Sequence, residues 1–316
     1  MILLTGGAGF IGSNIVKELN NRGRSDILIV DNLGNGEKYK NLIGLKYADY
    51  CHKYDFLDNI GKIEIEAVFH EGACSDTMEY DVNYMMKNNY EYSKMLLLEC
   101  VNRGIPFIYA SSASTYGAGK NGFVEVDECE SALNPYAFSK LSFDRYARPI
   151  MAKSKSKIIG LKYFNVYGMQ ENHKGKMASI IYQMYNQLKT EDTIKLFKGT
   201  DGYIDGGQKR DFVFVKDVVK VNLWCLDNEI ENGVYNCGTG HAHSFNDVAV
   251  AVIEAVGHGK VEYIDMPEVL KGKYQSYTQA DMSKLLNSGY NGGFTELKDA
   301  VKEYCEVLSE NEGYYR

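Results

Sequence analysis

The chain has 316 residues, of which 45% are hydrophobic and 24% are charged, and its formal net charge at pH 7 is −7. This composition is ordinary for a folded protein with one large domain or two smaller ones. The negative charge argues against a nucleic-acid-binding protein, and the lack of a long apolar run argues against a membrane protein. Seven cysteines without a CxxC pair indicate reduced thiols, and a predicted strand at residues 2–5 leaves no room for a signal peptide, so we expect a cytoplasmic protein.

The start of the chain has the order of elements found in dinucleotide-binding proteins. Residues 2–5 predict a strand, residues 6–12 a glycine-rich turn and residues 13–22 a helix. A glycine turn lets the backbone approach a pyrophosphate at the N-terminus of the helix. A second predicted strand, residues 27–30, ends at Asp31, where a carboxylate would meet the adenosine ribose. The glycines in question are Gly6, Gly9 and Gly12.

The residues around Asp31 leave two dinucleotides open. Asp31 would accept a hydrogen bond from the ribose 2′-hydroxyl of NAD. Asn32 follows it, and Lys38 and Lys53 each carry a cation that could meet the 2′-phosphate of NADP. Both dinucleotides therefore remain candidates at this point.

Apolar strands alternate with helices through the first half of the chain. Residues 67–70 lead into the small residues 71–75, residues 106–110 into a serine-rich turn, and residues 158–163 into a short polar segment. A long helix is predicted over residues 83–101 between the first two of these strands. The alternation predicts an α/β fold with a doubly wound parallel sheet of the Rossmann type.

The long predicted helix carries an apolar stripe that we expect to pack in the core. Asn88 lies on this stripe. A buried amide needs a hydrogen-bond partner, so we expect Asn88 to have a specific role.

The alternation of strands and helices changes after residue 168. This change predicts a second, smaller domain of mixed secondary structure that binds the substrate. We predict that residues 1–168 plus about 211–235 bind the dinucleotide, and that about 169–210 plus 236–316 bind the substrate. The elements predicted in this half are a helix over 177–188, a glycine-rich loop over 199–207, a strand and helix over 211–226 that return to the first domain, a helix over 247–256, a strand over 261–264 and a helix over 294–308.

Tyr136 and Lys140 form a YxxxK pair on a helix predicted to begin just after Pro135. Residues four apart share one face of a helix, so the phenol and the ammonium project into the same space. A nearby cation favours the phenolate and lowers the pKa of the tyrosine. Ser112, at the end of an earlier strand, would hydrogen-bond a substrate hydroxyl. Together these residues predict a hydride-transfer site with a tyrosine base.

The strings TGGAGFIG, SSASTYG and YAFSK, in this order, resemble the extended short-chain dehydrogenase/reductase family of nucleotide-sugar epimerases and dehydratases, over essentially the whole chain. Longer strings are similar to the ADP-heptose 6-epimerase branch of that family: HEGACSDT at 70–77, YMMKNNYEYSK at 84–94, YFNVYG at 163–168, HKGKMAS at 173–179, KRDFV at 209–213 and KGKYQSYTQAD at 271–281. The resemblance implies a tightly bound NADP and epimerisation at C6 of ADP-manno-heptose, from the D-glycero to the L-glycero form, for lipopolysaccharide inner core. It also implies a homo-oligomer, suggested to be a pentamer.

The resemblance assigns three sets of residues by position. The catalytic set is Tyr136, Lys140, Ser112 and Lys174, with Lys174 as a second acid/base. The cofactor set is Gly6, Gly9, Phe10, Ile11, Gly12, Asp31, Asn32, Lys38, Lys53, Glu71, Gly72, Ala73, Cys74, Ser75, Asn88, Lys140, Val166 and Lys174. The substrate set is Ser112, Asn165, Lys176, Gln183, Phe197, Lys198, Gly199, Thr200, Arg210 and Tyr274. A guanidinium such as that of Arg210 grips a diphosphate through two parallel hydrogen bonds.

The departures from the family pattern all fall on the substrate side. The chain has Lys176 where the family has Ser, Gln183 where it has His, Met169-Gln170 where it has Pro-Arg, and a longer loop at 199–208.

Two alternatives remain beside a 6-epimerase. One is another nucleotide-sugar epimerase or dehydratase of the same fold. A dehydratase usually carries an Asp-Glu pair just after the serine turn, and Ser112-Ala113-Ser114-Thr115 has none, which counts against it. A non-catalytic dinucleotide sensor is disfavoured because such proteins tend to lose the Tyr or the Lys. His241 and His243 have no carboxylate or Cys at ligand spacing, so we predict no metal site.

Overall fold

The structure is a computed structural model that describes residues 1–57, 60–267 and 275–315. Seven of the strands in these residues form one parallel sheet, in the order β10-β6-β5-β4-β1-β2-β3. The doubly wound fold predicted from the sequence is therefore confirmed. In chain order the strands are β1 (Ile2–Thr5), β2 (Ile27–Asp31), β3 (Asp49–His52), β4 (Ala67–His70), β5 (Phe107–Ser112), β6 (Ile158–Tyr163), β7 (Asn165–Tyr167), β8 (Thr193–Phe197), β9 (Lys209–Phe214), β10 (Gly233–Cys237), β11 (Ala242–Ser244) and β12 (Lys260–Ile264).

The strand order reverses between β1 and β4. The chain winds from β1 through β2 to β3 on one side, and from β4 through β5 and β6 to β10 on the other. A crevice forms at the carboxyl ends of the strands at such a switch point, which is where ligands bind in this class of fold. Strand β3 was not predicted, because it is an edge strand whose side chains are only partly buried and so lack an apolar pattern.

The helices cover both faces of the sheet and extend into the second half of the chain. None of them, in the described part of the chain, is long and apolar enough to cross a membrane. In chain order they are α1 (Phe10–Asn21), α2 (Lys53–Leu57), α3 (Val82–Met85), α4 (Tyr92–Arg103), α5 (Pro135–Met151), α6 (Ile180–Glu191), α7 (Val215–Asp227), α8 (Phe245–Val256), α9 (Ser283–Asn287) and α10 (Leu297–Asn311).

The long helix predicted over residues 83–101 contains a π-helical segment, Met86–Glu91, between α3 and α4. A π-turn adds one residue to the α-helical repeat, so the face that points to the core changes along the helix. The prediction that Asn88 is buried was therefore wrong. Asn88 is partly exposed, whereas Asn89 is buried and hydrogen-bonds the main chain of Cys74 and the hydroxyl of Ser139.

Two small sheets lie in the second half of the chain. Strand β9 pairs with β7 in parallel and with β11 in antiparallel orientation, and β8 pairs with β12. The predicted strand after residue 210 thus joins a small sheet, while α7 packs on α1 and β10 forms the edge of the large sheet. Helices α6, α8 and α10 share a separate hydrophobic cluster with the small sheets. The division into two domains stays a prediction.

A buried ion cluster connects β5, α5 and β6 beneath the serine turn. The ammonium of Lys162 is fully buried and lies 2.8 Å from a carboxylate oxygen of Glu130 and 3.2 Å from one of Asp144. It also donates to the hydroxyl of Thr115 at 2.6 Å, and the hydroxyl of Ser111 donates to Asp144 at 2.6 Å. A buried cation with these partners fixes the backbone on either side of Ser112.

Candidate active site

The turn between β1 and α1 accepts no residue larger than glycine at two of its positions. Gly6 has a φ of +70°, and a Cβ there would lie 2.6 Å from the amide nitrogen of Gly72. A Cβ on Gly12 would lie 2.2 Å from the carbonyl oxygen of Gly6. No described side chain caps the N-terminus of α1, whose N-cap residue is Gly9. The free amides and the helix dipole therefore fit the pyrophosphate of a dinucleotide.

A cleft of about 590 Å³ opens at the switch point of the sheet. Its volume lies in the range of small-molecule sites. It is lined by Ser112, Tyr136 and every residue predicted to hold the cofactor: Gly6, Gly9, Phe10, Ile11, Gly12, Asp31, Asn32, Lys38, Lys53, Glu71, Gly72, Ala73, Cys74, Ser75, Asn88, Lys140, Val166 and Lys174.

The carboxylate of Asp31 already has several hydrogen-bond donors. One oxygen accepts from the amide of Ala8 at 2.8 Å, and the other accepts from the amide of Asn32 at 2.6 Å and from the ammonium of Lys38 at 2.5 Å. Asp31 thus ties the glycine turn to β2 and holds Lys38 at the edge of the cleft. Lys53 enters from the start of α2 and donates to the amide oxygen of Asn88 at 2.6 Å.

The helix that carries Tyr136 begins at Pro135, as predicted. The side chain of Asn134 caps it by accepting from the amide of Ala137 at 2.8 Å. Burial raises the pKa of the Tyr136 phenol, and a hydrogen bond with Ser112 opposes that rise. The net shift is opposite to the one expected from a nearby cation, because the loss of hydration on burial has the largest effect on the phenol.

Lys140, which is buried, and Glu71, which is partly buried, are two ionisable groups beside Tyr136. Burial lowers the pKa of Lys140 to about 8, and the carboxylate of Glu71 opposes this shift. Burial raises the pKa of Glu71 to about 7, although Tyr163 donates a hydrogen bond of 2.9 Å to it. Burial therefore moves the pKa values of both groups toward neutral pH.

Lys174 reaches the cleft from a different element, the 3-10 turn Asn172–Met177. Its ammonium lies 5.2 Å from the centre of the Phe10 ring. Burial lowers the pKa of Lys174, and the carboxylate of Glu171 opposes that shift. The predicted helix over 177–188 begins later, at Ile180, because the hydroxyl of Ser179 caps it by accepting from the amide of Tyr182.

Most of the predicted substrate residues do not line this cleft. Asn165 is exposed and neighbours Val166, and β7 pairs it with Phe212, two residues after Arg210. Arg210 is buried on β9, with its guanidinium 5.8 Å from the ring of Phe245. Phe197, Lys198, Gly199 and Thr200 form the end of β8 and the loop after it. Lys176 lies before Ser179 in the 3-10 turn and Gln183 lies after it on α6, and Tyr274 lies outside the described residues.

Several residues that line the cleft were not predicted. Tyr163 and His173 stand inside the quoted strings YFNVYG and HKGKMAS, next to residues that were assigned, so these strings were the available signal. Tyr84, Tyr92, Phe164 and Met177 also line the cleft and stand inside the quoted strings YMMKNNYEYSK, YFNVYG and HKGKMAS. Aromatic and apolar side chains of this kind cannot be distinguished from core residues in the sequence alone.

The whole chain resembles known proteins in sequence and in fold. The model of the NAD dependent epimerase/dehydratase family matches residues 2–238. The chain is 51% identical over 321 residues to the ADP-L-glycero-D-manno-heptose-6-epimerase of Brachyspira hyodysenteriae, covering 99% of each chain, and 52% identical over 314 residues to that of Alkalilimnicola ehrlichii, covering 98% of each.

The solved structure of Helicobacter pylori ADP-L-glycero-D-manno-heptose-6-epimerase superimposes with a TM-score of 0.84 at 32% identity, covering 98% of this chain and 96% of that one. The likeness therefore extends through both small sheets as well as the large one. The chain belongs to the NAD dependent epimerase/dehydratase family.

Proposed function

We propose that the protein is an NADP-dependent epimerase that interconverts ADP-D-glycero-D-manno-heptose and ADP-L-glycero-D-manno-heptose at C6. The observation that carries the proposal is that two proton-transfer groups from different elements, Tyr136 on α5 and Lys174 on the turn Asn172–Met177, line one cleft. Inversion of a carbinol needs one such group for each face of the intermediate ketone. Relatives about half identical in sequence carry this activity in their names.

The residues of the chain divide the proton chemistry between them. A bound nicotinamide supplies the redox chemistry, because it takes a hydride from the sugar and returns it. The Tyr136 phenolate removes the proton of the C6 hydroxyl, while Ser112 hydrogen-bonds the same oxygen. The Lys140 ammonium favours the phenolate against the effect of burial. Lys174 then gives a proton to the ketone oxygen when the sugar presents its other face.

We propose NADP rather than NAD because the charge of Asp31 is compensated in this structure. A ribose 2′-hydroxyl is bound best by a carboxylate with several free acceptor sites, whereas Asp31 already accepts from Ala8, Asn32 and Lys38, which leaves about one of its roughly four sites. Lys38 and Lys53 bring two cations to the same end of the cleft. Two cations suit a 2′-phosphate.

The substrate would extend from the cleft toward the small sheets, where the guanidinium of Arg210 would bind its diphosphate. The resemblance also implies a cytoplasmic location, a role in lipopolysaccharide inner-core synthesis and a homo-oligomeric assembly. Light scattering on the purified protein tests the oligomeric state, and a pentamer is the expected result.

The test of the proposal uses the purified protein without added reductant. The copurifying dinucleotide is identified by mass spectrometry, and ADP-D-glycero-D-manno-heptose is followed by NMR for inversion at C6. Inversion at C6 with NADP bound is the expected result. A product changed at C4 or dehydrated would assign another enzyme of the fold, and dinucleotide binding without turnover would assign a sensor.

A further inference from the structure

Glu171 directly precedes the turn that carries Lys174, and its carboxylate is fully buried. One oxygen accepts from the amide of Ser179 at 2.5 Å. The other accepts from the hydroxyl of Ser179 at 2.7 Å, the hydroxyl of Tyr304 at 3.0 Å and the amide of Gly168 at 3.3 Å. Every partner is a donor, which is the pattern of an ionised carboxylate.

These hydrogen bonds connect the two ends of the segment that carries Lys174. Gly168 lies before the turn and Ser179 lies after it, where the hydroxyl of Ser179 also caps helix α6. Tyr304 comes from α10, so the same carboxylate joins three elements. A buried carboxylate with several donors has a fixed position, and it therefore fixes both ends of the segment that presents Lys174.

Glu171 and Lys174 each influence the pKa of the other. Burial lowers the pKa of Lys174, and Glu171 opposes this. Burial raises the pKa of Glu171, and Lys174 gives the largest opposing effect. His173 and Tyr304 are neutral near pH 7, because burial lowers the pKa of His173 to about 4 and raises that of Tyr304. The charged groups beside His173, Lys38 and Asp31, pair with each other.

We propose that Glu171 is a positioning residue for the second proton-transfer step: its carboxylate holds Lys174 in the cleft and keeps it as an ammonium that can protonate the C6 oxygen. This inference rests on the proposed function. Glu171 does not line the cleft, so it acts through Lys174 and not on the sugar.

Glu171→Gln removes the charge and keeps the size of the side chain. Labelling with acetic anhydride at a series of pH values, read by mass spectrometry, measures when Lys174 loses its proton. The midpoint for Lys174 should fall by about one pH unit, because an opposite charge is removed. The exposed Lys176 serves as the comparison in the same segment and should not change. The pH above which epimerisation declines should fall together with the labelling midpoint of Lys174.

Tyr304→Phe is the matched control, because it removes one hydrogen bond from Glu171 and leaves the charge. It should leave the midpoint of Lys174 in place. The same midpoint in wild-type enzyme and in folded Glu171→Gln would overturn the proposal.

A second variant covers the case in which Glu171→Gln does not fold. Lys174→Met leaves the carboxylate of Glu171 buried without its cation, which raises the pKa of Glu171. The variant should melt below the wild type at about pH 8 and approach it as the pH falls and Glu171 takes up a proton. An equal melting difference at both ends of the pH range would contradict the coupling.

Failure of the proposed function has a different signature. The wild-type protein would then leave ADP-heptose unchanged, although the labelling of Lys174 would still shift in Glu171→Gln.

Discussion

Lys140 donates a hydrogen bond of 2.8 Å to the carbonyl oxygen of Ala110. The bond ties α5 to β5 two residues before Ser112. Tyr136 lies one turn earlier on α5, so the same contact holds the phenol and the serine hydroxyl on one side of the cleft. The acceptor is a main-chain atom, and no side-chain change on β5 removes it.

Tyr136→Phe should lower the rate of epimerisation by at least about 100-fold, because removal of a general base typically costs that much or more. The measurement is the conversion of ADP-heptose by NMR. Tyr146→Phe, the same change on the same helix but outside the cleft, should have little effect. A Tyr136→Phe enzyme within a few-fold of the wild type would show that the tyrosine is not the base.

Lys174→Met should separate oxidation from inversion. Tyr136 and Ser112 are unchanged in this variant, so hydride exchange between dinucleotide and sugar should continue. Little inverted product should form, because no group protonates the second face of the ketone. Absorbance of the reduced dinucleotide and NMR of the sugar follow the two steps. Normal inversion would exclude Lys174 as the second acid/base.

Lys38→Ala should weaken NADP binding by roughly tenfold or more, since a hydrogen bond to a charged group is worth about 1.5 to 3 kcal/mol. NAD binding should not weaken, because Asp31 gains free acceptor sites when Lys38 is removed. Lys40→Ala is the matched control, since Lys40 pairs with Glu37 and lies outside the cleft. Calorimetric titration with both dinucleotides measures the preference, and an equal loss for both would argue against a role in the choice.

Hydride exchange should decline above about pH 8 as Lys140 loses its proton, given a pKa of about 8. The Glu71 carboxylate raises that pKa, so Glu71→Gln should lower it and move the alkaline limit to lower pH. The pH dependence of dinucleotide reduction in single-turnover experiments measures the limit. A limit that stays in place or moves to higher pH would contradict the coupling between the two residues.

Lys162→Met should cost about 3 to 5 kcal/mol of the free energy of unfolding, because it removes the buried cation that pairs with Asp144, whereas Glu130 keeps its ion pair with Arg148. Denaturant unfolding measures the loss. Lys195→Met breaks an exposed pair with Glu191 and should cost roughly 0 to 1 kcal/mol. Equal losses in the two variants would mean that the buried cluster contributes no more than a surface pair.

The sequence was sufficient for features that depend on local spacing. The glycine turn, Asp31 and the Tyr136-Lys140 pair each need particular residues at particular distances, and the alternation of strands predicts a parallel sheet. The structure places all of these at one edge of the sheet.

Features that depend on distant contacts were not predictable. Glu171 and Lys162 look like surface charges in the sequence, because the partners that bury them lie on other elements. The raised pKa of Tyr136 comes from burial, which no local pattern reports. The edge strand β3 and the pairing of β9 with β7 and β11 likewise depend on tertiary packing.

The π-helical segment Met86–Glu91 determines which side chains of this helix face the cleft. A π-turn is equivalent to a one-residue insertion into an α-helix. Deleting one residue there would restore the regular repeat and turn α3 by about 100° relative to α4. Met85 would leave the core and Tyr84 would leave the cleft. Asn88, which accepts the hydrogen bond from Lys53, lies inside this segment, so a chain without the extra residue would present a different side chain to Lys53.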